Sequence, residues 1–379
     1  METIRVLELY SGIGGMHYAL KESCVDAEVV AAVDVNTIAN EIYRHNFPNT
    51  PLWSKTIEGI TLEEFNSLGF DMILMSPPCQ PFTRIGLQGD ISDPRTKSFL
   101  YILQLLPRLS QRPRFLLIEN VRGFETSSAR DSLVKTLKDC GYTYQEFLLS
   151  PTCLGIPNSR LRYFLIARTF PGTFSFSTAA EILETFPDIA ADAPMPVSAD
   201  PAKTSKQCED RHILYKLETP CELERKRSQN SDGSTRVLRE YLQEEAELED
   251  MELFLLPPKT LLRYALLMDI VQPTCRRSVC FTKGYGHYVE GTGSVLQSCT
   301  DIEVEEAFSC LDSLSEEKKL RQLSKLKLRY FTPREIANLM GFPAHFAFPE
   351  KTTIKQQYRV LGNSLNVHVV ARLIKLMVE

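Results

Sequence analysis

Short β-rich runs alternate with helical patterns over the first 170 residues, and this alternation constrains the fold more than any other feature. The strand-like runs are residues 5–9, 29–35, 70–76, 115–121, 146–149 and 162–168. Helix-like stretches separate them, as at 131–140, where Leu133 and Leu137 share one face. Strands separated by helices predict an α/β fold with a mostly parallel sheet, in which ligands bind beside the carboxyl ends of the strands.

The pattern changes after about residue 169. Pro, Ser, Thr and Ala are frequent in residues 171–256, which we expect to be partly irregular and solvated. Regular patterning then resumes, and Thr332-Pro333-Arg334-Glu335 has the form of a helix capping box with proline at the first helical position. We therefore expect residues 1–170 and 330–379 to form one domain and residues 171–329 to form a smaller inserted domain.

Composition sets limits on the class of protein. The net charge is −5, so any surface that binds nucleic acid must gather its cations on one face. The ten cysteines are irregularly spaced without a C-x-x-C motif, which argues against a disulfide framework and a metal site. No basic leader and no apolar run long enough for a membrane span is present. We expect a soluble monomer in the cytoplasm, with the nucleus as a second location.

A glycine-rich turn follows the first predicted strand, in the sequence Tyr10-Ser11-Gly12-Ile13-Gly14-Gly15. Glycines between a strand and a helix let the backbone approach a ligand closely and leave the first amides of the helix available. Asp34 ends the second predicted strand, where an acceptor for a ribose hydroxyl is expected. The turn and the acid together predict a site for an adenosine-containing cofactor.

The spacing of the glycines narrows the kind of cofactor. G-x-G-G differs from the G-x-G-x-x-G of nicotinamide enzymes, and no Lys-Ser or Lys-Thr pair follows to make a P-loop. S-adenosylmethionine needs no phosphate-binding loop, only apolar or aromatic walls for its adenine. Tyr10, Ile13, Val35 and Ile57 could form those walls, although each could equally belong to the core.

A cysteine lies in a stiff loop after the third of these strands. Three prolines among residues 76–81 prevent the strand from continuing, so Cys79 should face the ligand crevice. In the next strand Glu119 follows an apolar run directly, and a carboxylate there is costly unless it is partnered or functional. Alternation would put Arg160 and Arg162 on one face, as fixed cations or as a surface salt-bridge ladder.

These residue types suit methyl transfer to C5 of a cytosine. Cytosine C5 is too weak a nucleophile to take a methyl group from a sulfonium unaided. A thiolate that adds at C6 makes the ring an enamine, and an acid at N3 stabilises it. The target base must leave its stack to be reached.

In their order, these motifs resemble those of the cytosine C5-methyltransferase family. The C-terminal Gly362-Asn363-Ser364-Leu365-Asn366-Val367 resembles the last motif of that family, which completes the cofactor pocket. The resemblance implies a Rossmann-like S-adenosylmethionine-dependent methyltransferase with a target-recognition domain. It implies Cys79 as nucleophile, Glu119 as the contact to N3 and the amino group, and assistance from Arg160 and Arg162.

The cofactor pocket implied by the resemblance is larger. Its residues are Ile13, Gly14, Gly15, Asp34, Ile57, Glu58, Ser76 and Ser364, and the same segments add Tyr10, Gly12, Val35 and Asn363 as candidates. Glu58 stands one residue later than the acid of many relatives, which leaves its contact to adenine open.

Cys280-Phe281-Thr282 is similar to the signature of the branch of this family that acts on transfer RNA. That resemblance implies 5-methylcytosine formation in the anticodon loop of tRNA-Asp. Weak DNA binding stays open, because composition and periodicity do not distinguish RNA from DNA. Candidate contacts to the RNA backbone are Arg84, Arg95, Lys97, Arg276, Arg277 and Lys283.

Two alternatives remain at this point. A DNA cytosine-5 methyltransferase would use the same residues, and a nucleic-acid-binding protein could keep the fold with little turnover. A nicotinamide dehydrogenase is a weaker alternative, because it leaves the proline-flanked Cys79 unexplained.

Overall fold

The computed structural model describes residues 2–78, 96–187, 219–244, 251–308 and 311–379. A seven-stranded sheet is followed along the chain by a three-stranded one. The strands of the large sheet are β1 (Ile4–Leu9), β2 (Ala27–Val33), β3 (Leu52–Trp53), β4 (Met72–Met75), β5 (Phe115–Val121), β6 (Tyr142–Leu149) and β7 (Arg162–Thr169). Those of the small sheet are β8 (Ile270–Val271), β9 (Val295–Gln297) and β10 (Leu328–Tyr330). All the strand-like runs of the first 170 residues are therefore strands, within a few residues at their ends.

The large sheet is mostly parallel, as the sequence predicts. Its order is β3-β2-β1-β4-β5-β7-β6, and only β7 runs antiparallel to its two neighbours. From β1 the chain first proceeds outward to β3 and then crosses to β4 on the other side of β1. This change of direction opens a crevice beside the carboxyl ends of β1 and β4, which is where open α/β sheets bind ligands.

Helices cover both faces of the large sheet. Alternation along β1 sends Val6 to one apolar core and Leu7 to the other. The first face is covered by α1 (Gly15–Glu22), α2 (Thr37–Asn46), α10 (Pro333–Leu339), α11 (Ile354–Gly362) and α12 (Val367–Val378). The second face is covered by α3 (Leu62–Leu68), α4 (Lys97–Leu105) and α5 (Ser128–Asp139).

Local hydrogen bonds explain where several helices begin. Asn36 caps α2 by accepting from the amides of Ile38 and Ala39. The predicted capping box of α10 is confirmed, since Thr332 accepts from the amide of Glu335 and the Glu335 carboxylate accepts from the amide of Thr332. Glu335 also pairs with Arg329 at 2.8 Å in the interior, which joins β10 to α10.

Residues 256–330 are called the small unit below. Most of its buried apolar side chains pack around a core of their own, whereas Val271, Phe281, Tyr285 and Leu296 pack in the large core. Besides its sheet, the small unit contains α7 (Pro258–Tyr264), α8 (Val304–Phe308) and α9 (Glu316–Ser324). Residues 280–294 form turns and irregular chain, and β9 begins only at Val295. From Phe331 onward the chain packs in the large core again.

The segment before the small unit is only partly described. Residues 188–218 and 245–250 lie outside the described part of the chain. Within it, α6 (Pro220–Ser231) has no buried residue, in keeping with a solvated segment. Leu238 and Tyr241 depart from that expectation, because both are buried in the large core.

Two findings concern the described residues as a whole. None of their helices has the length and apolar character needed to cross a lipid bilayer. Nor do they contain a cluster of His, Cys, Asp and Glu side chains that could hold a metal ion.

Candidate active site

A cavity of about 510 Å³ occupies the crevice beside β1 and β4. It brings together residues that are far apart in the sequence, from the glycine turn to the loop before α12. Most of the predicted site residues line it: Tyr10, Gly12, Ile13, Gly15, Asp34, Val35, Ser76, Glu119, Arg160, Arg162, Asn363 and Ser364. Its volume lies within the range of about 300–1000 Å³ that is typical of ligand pockets.

The glycine turn forms one end of the cavity through its backbone. Gly12 and Gly14 have φ angles of 53° and 85°, a left-handed conformation that glycine adopts without strain. Tyr10 also lies in this region, at 57°, and its hydroxyl donates to Ser98 at 2.9 Å. A Cβ atom on Gly14 would lie 2.4 Å from the Phe47 ring, so only glycine fits there.

Asp34 holds this turn in place. One carboxylate oxygen accepts from the amide of Gly12 at 2.8 Å, and the other accepts from the amide of Asn36 at 2.8 Å. The same acid thus fixes both the turn after β1 and the start of α2. Each oxygen keeps a further lone pair for a ligand hydroxyl.

Three predicted cofactor residues do not line the cavity. Gly14 packs against Phe47 instead, because it is the left-handed residue that precedes α1. Ile57 is 4% exposed and belongs to the second apolar core. Glu58 is exposed in a short helical turn beside it.

The cavity also contains residues that the sequence analysis missed, chiefly neighbours of those it found: Ser11, Met16, Asn36, Ala39, Pro77, Pro78, Val121, Val360, Gly362 and Leu365. Ser11 is 5% exposed, and its hydroxyl has no hydrogen-bond partner within the described residues. A buried hydroxyl without a partner is costly unless a ligand satisfies it. In the sequence, the position of Ser11 inside the glycine turn was the signal that could have identified it as a site residue.

The cofactor end of the cavity suits a ligand that is partly polar and partly apolar. Val35 is 61% exposed at the cavity, an unusual position for an apolar side chain unless a ligand covers it. A Cβ atom on Gly15 would lie 3.1 Å from the Ser364 hydroxyl, so the loop before α12 closes directly over the start of α1. The apolar wall, the unpartnered Ser11 hydroxyl and the Asp34 carboxylate together fit S-adenosylmethionine.

Cys79 lies outside the described residues, and the structure shows only the chain that leads to it. Ser76 donates to the carbonyl of Tyr10 at 3.2 Å. Asn120 is 1% exposed and donates to the carbonyl of Pro77 at 3.4 Å. Pro77 and Pro78 line the cavity, so the segment that precedes Cys79 is tied to β1 and β5 at its edge.

Glu119 and Arg162 form a charged pair at the other end of the cavity. The register of β5 and β7 pairs Val121 with Arg162, and Arg162 Nε lies 3.5 Å from Glu119 Oε1. Burial raises the pKa of Glu119, and the charges of Arg162 and Arg160 only partly oppose this shift. A buried glutamate of this kind can carry a proton nearer to neutral pH than an exposed one can.

Arg160 holds separate segments of chain together beside this pair. Its Nη1 donates to the carbonyl of Phe281 at 3.0 Å, and its Nη2 donates to the carbonyls of Gly362 and Ser364. The predicted placement of Arg160 and Arg162 on one face is confirmed, because both line the cavity. The cause differs for Arg160, since β7 begins only at Arg162 and these carbonyls orient the Arg160 side chain. Arg160 is therefore best described as a positioning residue.

Cys280 places a second thiol at this end of the site. Arg160 and Arg162 donate to its sulfur at 3.3 Å and 3.8 Å. Burial acts to raise the pKa of Cys280, but the charges of the two arginines outweigh it and hold that pKa below its usual value. In the sequence, Cys280 is distinguished only as part of a family signature.

A buried polar network lies behind the glycine turn. Tyr43 donates to Glu8 at 2.7 Å, and its oxygen lies 2.8 Å from His17 Nδ1. The His17 ring stacks on Phe47 with centroids 3.8 Å apart. Burial raises the pKa of Glu8 to about 8 and lowers that of His17 to about 3, so both groups are neutral at pH 7. A glutamate inside the apolar β1 strand was a signal for this network.

The expected RNA contacts give a mixed result. Arg277 is 6% exposed and pairs with Asp269 at 2.9 Å, so its prediction as a phosphate contact is wrong. Arg276 is half-buried and donates to the carbonyl of Thr235. Lys97 and Lys283 are exposed, and Arg84 and Arg95 lie outside the described residues.

The chain matches the family model described as C-5 cytosine-specific DNA methylase over residues 4–379. It is 59% identical over 394 aligned residues to the tRNA (cytosine(38)-C(5))-methyltransferase of Homo sapiens, with both chains fully covered. It is 38% identical to the DNA (cytosine-5)-methyltransferase of Dictyostelium discoideum, covering all of this chain and 95% of that protein.

Solved structures agree with these sequence matches. A crystal structure of a DNMT2 mutant from Spodoptera frugiperda has a TM-score of 0.79 and 40% identity, and the match covers 99% of this chain and all of that one. The likeness therefore extends over the small unit as well as the large sheet.

Proposed function

The chain belongs to the family of C-5 cytosine-specific DNA methylases, and we propose that it transfers a methyl group from S-adenosylmethionine to C5 of a cytosine in tRNA. The observation that carries this proposal is the single cavity of about 510 Å³, in which the glycine turn and Asp34 lie at one end and Glu119 and Arg162 at the other. The human relative named above, at 59% identity, supports tRNA as the substrate.

The reaction starts at the end of the cavity that receives the base. The Cys79 thiolate adds to C6 of the extruded cytosine, while Glu119 donates its proton to N3, so the ring becomes a neutral enamine. S-adenosylmethionine, when bound, supplies the electrophilic methyl group that C5 attacks. A base then removes the proton from C5, and N3 returns its proton to Glu119. The bond between sulfur and C6 breaks, and the thiolate leaves as the ring regains its double bond.

The surroundings of Glu119 match this role. Burial raises the pKa of Glu119, which favours the protonated form that donates to N3, and the nearby Arg162 stabilises the carboxylate once the proton has moved. Arg160 acts at a distance by holding the loop at 362–364 against the segment at 280–281. These contacts hold the cofactor end and the base end of the cavity in a fixed relative position.

The substrate proposal extends to the anticodon loop of tRNA-Asp, at the cytosine that corresponds to position 38 in the name of the human relative. Bases in such a loop are already partly unstacked, so extrusion costs less than in a duplex. A monomer with its own recognition unit would suffice for this substrate.

A side-by-side assay tests the proposal. The protein is incubated with labelled S-adenosylmethionine and either total tRNA or duplex DNA, and 5-methylcytosine is then mapped in both. We expect transfer to a single cytosine of tRNA and much slower transfer to DNA. Faster methylation of DNA would contradict the proposal and favour the activity named for the Dictyostelium relative.

A further inference from the structure

A second cavity, of about 300 Å³, lies between α6 and the small unit. Its wall is apolar where Leu266, Leu267, Val279 and Val289 meet, and Arg225 and Lys226 of α6 lie along its edge. We call it the flanking pocket. Its volume is at the lower limit of ligand pockets, about the size class expected for one small planar group.

The flanking pocket adjoins the catalytic cavity through one residue. Cys280 lines the flanking pocket, and its sulfur receives hydrogen bonds from Arg160 and Arg162, which line the catalytic cavity. The flanking pocket is therefore one side chain away from the end of the catalytic cavity that receives the base.

The charges at the pocket suit a polyanion. Asp269 is the buried acid of this region, and it is neutralised by Lys226 at 2.7 Å and by Arg277 at 2.9 Å. Arg225 is exposed on α6 and adds a further cation, whereas Glu222 of the same helix lines the pocket with a second acid, so three cations stand against two acids here. Lysine and arginine side chains at the rim of an apolar pocket are typical of sites that hold a base while its phosphate stays in solvent.

An exposed aromatic side chain stands in the loop that forms one wall. Tyr288 is 64% exposed, although it is flanked by Val289 and by Gly291 and Gly293 of the same wall. Its carbonyl accepts from the Thr292 hydroxyl at 2.7 Å, and its amide donates to the carbonyl of Gly284 at 2.9 Å. These bonds order the backbone of the loop, and the Tyr288 ring lies at 4.5 Å from the His287 ring in an edge contact. The loop therefore presents an aromatic side chain to solvent, as proteins that stack unpaired bases do.

We propose that the flanking pocket and Tyr288 bind an unstacked nucleobase next to the target cytosine in the RNA, and so contribute to the choice of substrate. This inference rests on the proposed function, because the pocket is useful only if a single-stranded RNA segment enters the neighbouring cavity. The base inserts against the apolar wall or stacks on Tyr288, and its phosphate faces Arg225.

The test combines protein variants with altered RNA. A stem-loop that contains the target cytosine is prepared intact and with a single abasic site at each flanking position. KM and kcat are measured for the wild type, for Tyr288→Ala, and for Leu267→Trp, which fills the pocket. Phe170→Ala is the matched control, because Phe170 is an 83% exposed aromatic at the opposite end of β7 from Arg162.

We expect one abasic position to raise KM for the wild type by about tenfold, the loss expected when one stacked base is removed. Tyr288→Ala and Leu267→Trp should each raise KM for intact RNA by a similar factor. On the RNA with that abasic site, the same substitutions should change KM little. Phe170→Ala should match the wild type. Cofactor affinity and unfolding midpoints should be unchanged, which separates the effect from misfolding.

Two results would overturn the proposal. The first is that both pocket variants keep the wild-type KM on intact RNA. The second is that the increase in KM caused by a variant and the increase caused by the abasic site multiply when the two are combined. Failure of the proposed function itself has a different signature, because the wild type would then methylate no RNA at all before any variant is compared.

Discussion

At the cofactor end of the catalytic cavity the polar contacts join backbone amides to one side chain, the Asp34 carboxylate, whereas at the base end charged side chains contact one another. The glycine turn is held by amides that donate to Asp34, and its support from Glu8, Tyr43 and His17 is neutral. At the other end Glu119, Arg160 and Arg162 meet from different segments. Substitutions at the cofactor end should therefore change mainly the affinity for the cofactor, and substitutions at the base end should change mainly the rate of the chemical step.

The largest effect should come from Glu119→Gln at the base end. Glutamine keeps the size of the side chain but has no proton to deliver to N3, so kcat should fall by about 10³-fold. The dissociation constant for S-adenosylmethionine should stay at its wild-type value. Single-turnover methyl transfer and calorimetry measure the two quantities, and Glu63→Gln on the exposed face of α3 serves as the control.

A large rise in the dissociation constant for the cofactor in Glu119→Gln would break the distinction between the two ends. The base end would then also shape the cofactor pocket.

The second effect concerns the uncharged network of Glu8, Tyr43 and His17 behind the glycine turn. Because the folded-state pKa of Glu8 is raised to about 8, the folded protein binds more protons than the unfolded chain as the pH rises towards that value. Glu8 therefore makes the protein less stable as the pH increases from about 5 to 8. Glu8→Gln cannot ionise, so it should gain stability relative to the wild type by about 2 kcal/mol between pH 6.5 and 8.5.

Urea unfolding of both proteins at the two pH values measures this gain. If the stability difference between Glu8→Gln and the wild type were equal at pH 6.5 and 8.5, the Glu8 carboxyl would already be ionised in the folded protein. That result would rule out an uncharged Glu8 behind the glycine turn.

A smaller effect is expected from Asp34→Asn at the cofactor end. One oxygen of Asp34 becomes an amide nitrogen, which cannot accept from Gly12 and Asn36 as the two oxygens do. We expect about a tenfold weaker affinity for S-adenosylmethionine, since hydrogen bonds to charged groups contribute roughly 1.5–3 kcal/mol. At saturating cofactor the single-turnover rate should be close to that of the wild type, and a rate loss without an affinity loss would reverse the comparison.

The same contrast explains how much could be predicted from the sequence. The strands, the glycine turn, Asp34 and Glu119 follow local patterns, and the structure places them in one cavity as expected. The Arg160 contacts to Phe281, Gly362 and Ser364 could not be predicted, because they join segments that no local pattern relates. For the same reason the predicted contact between Arg277 and the RNA backbone is wrong, because Arg277 is buried against Asp269.

Covalent trapping on RNA that carries 5-fluorocytosine at the target position tests the central claim most directly. Fluorine at C5 cannot leave as a proton does, so the enzyme stays bonded to C6 once the methyl group has transferred. With S-adenosylmethionine, the wild type and Cys280→Ser should form a complex that survives denaturation, and Cys79→Ala should form none. A complex that persists in Cys79→Ala and disappears in Cys280→Ser would contradict the account and make Cys280, the thiol beside Arg160 and Arg162, the nucleophile.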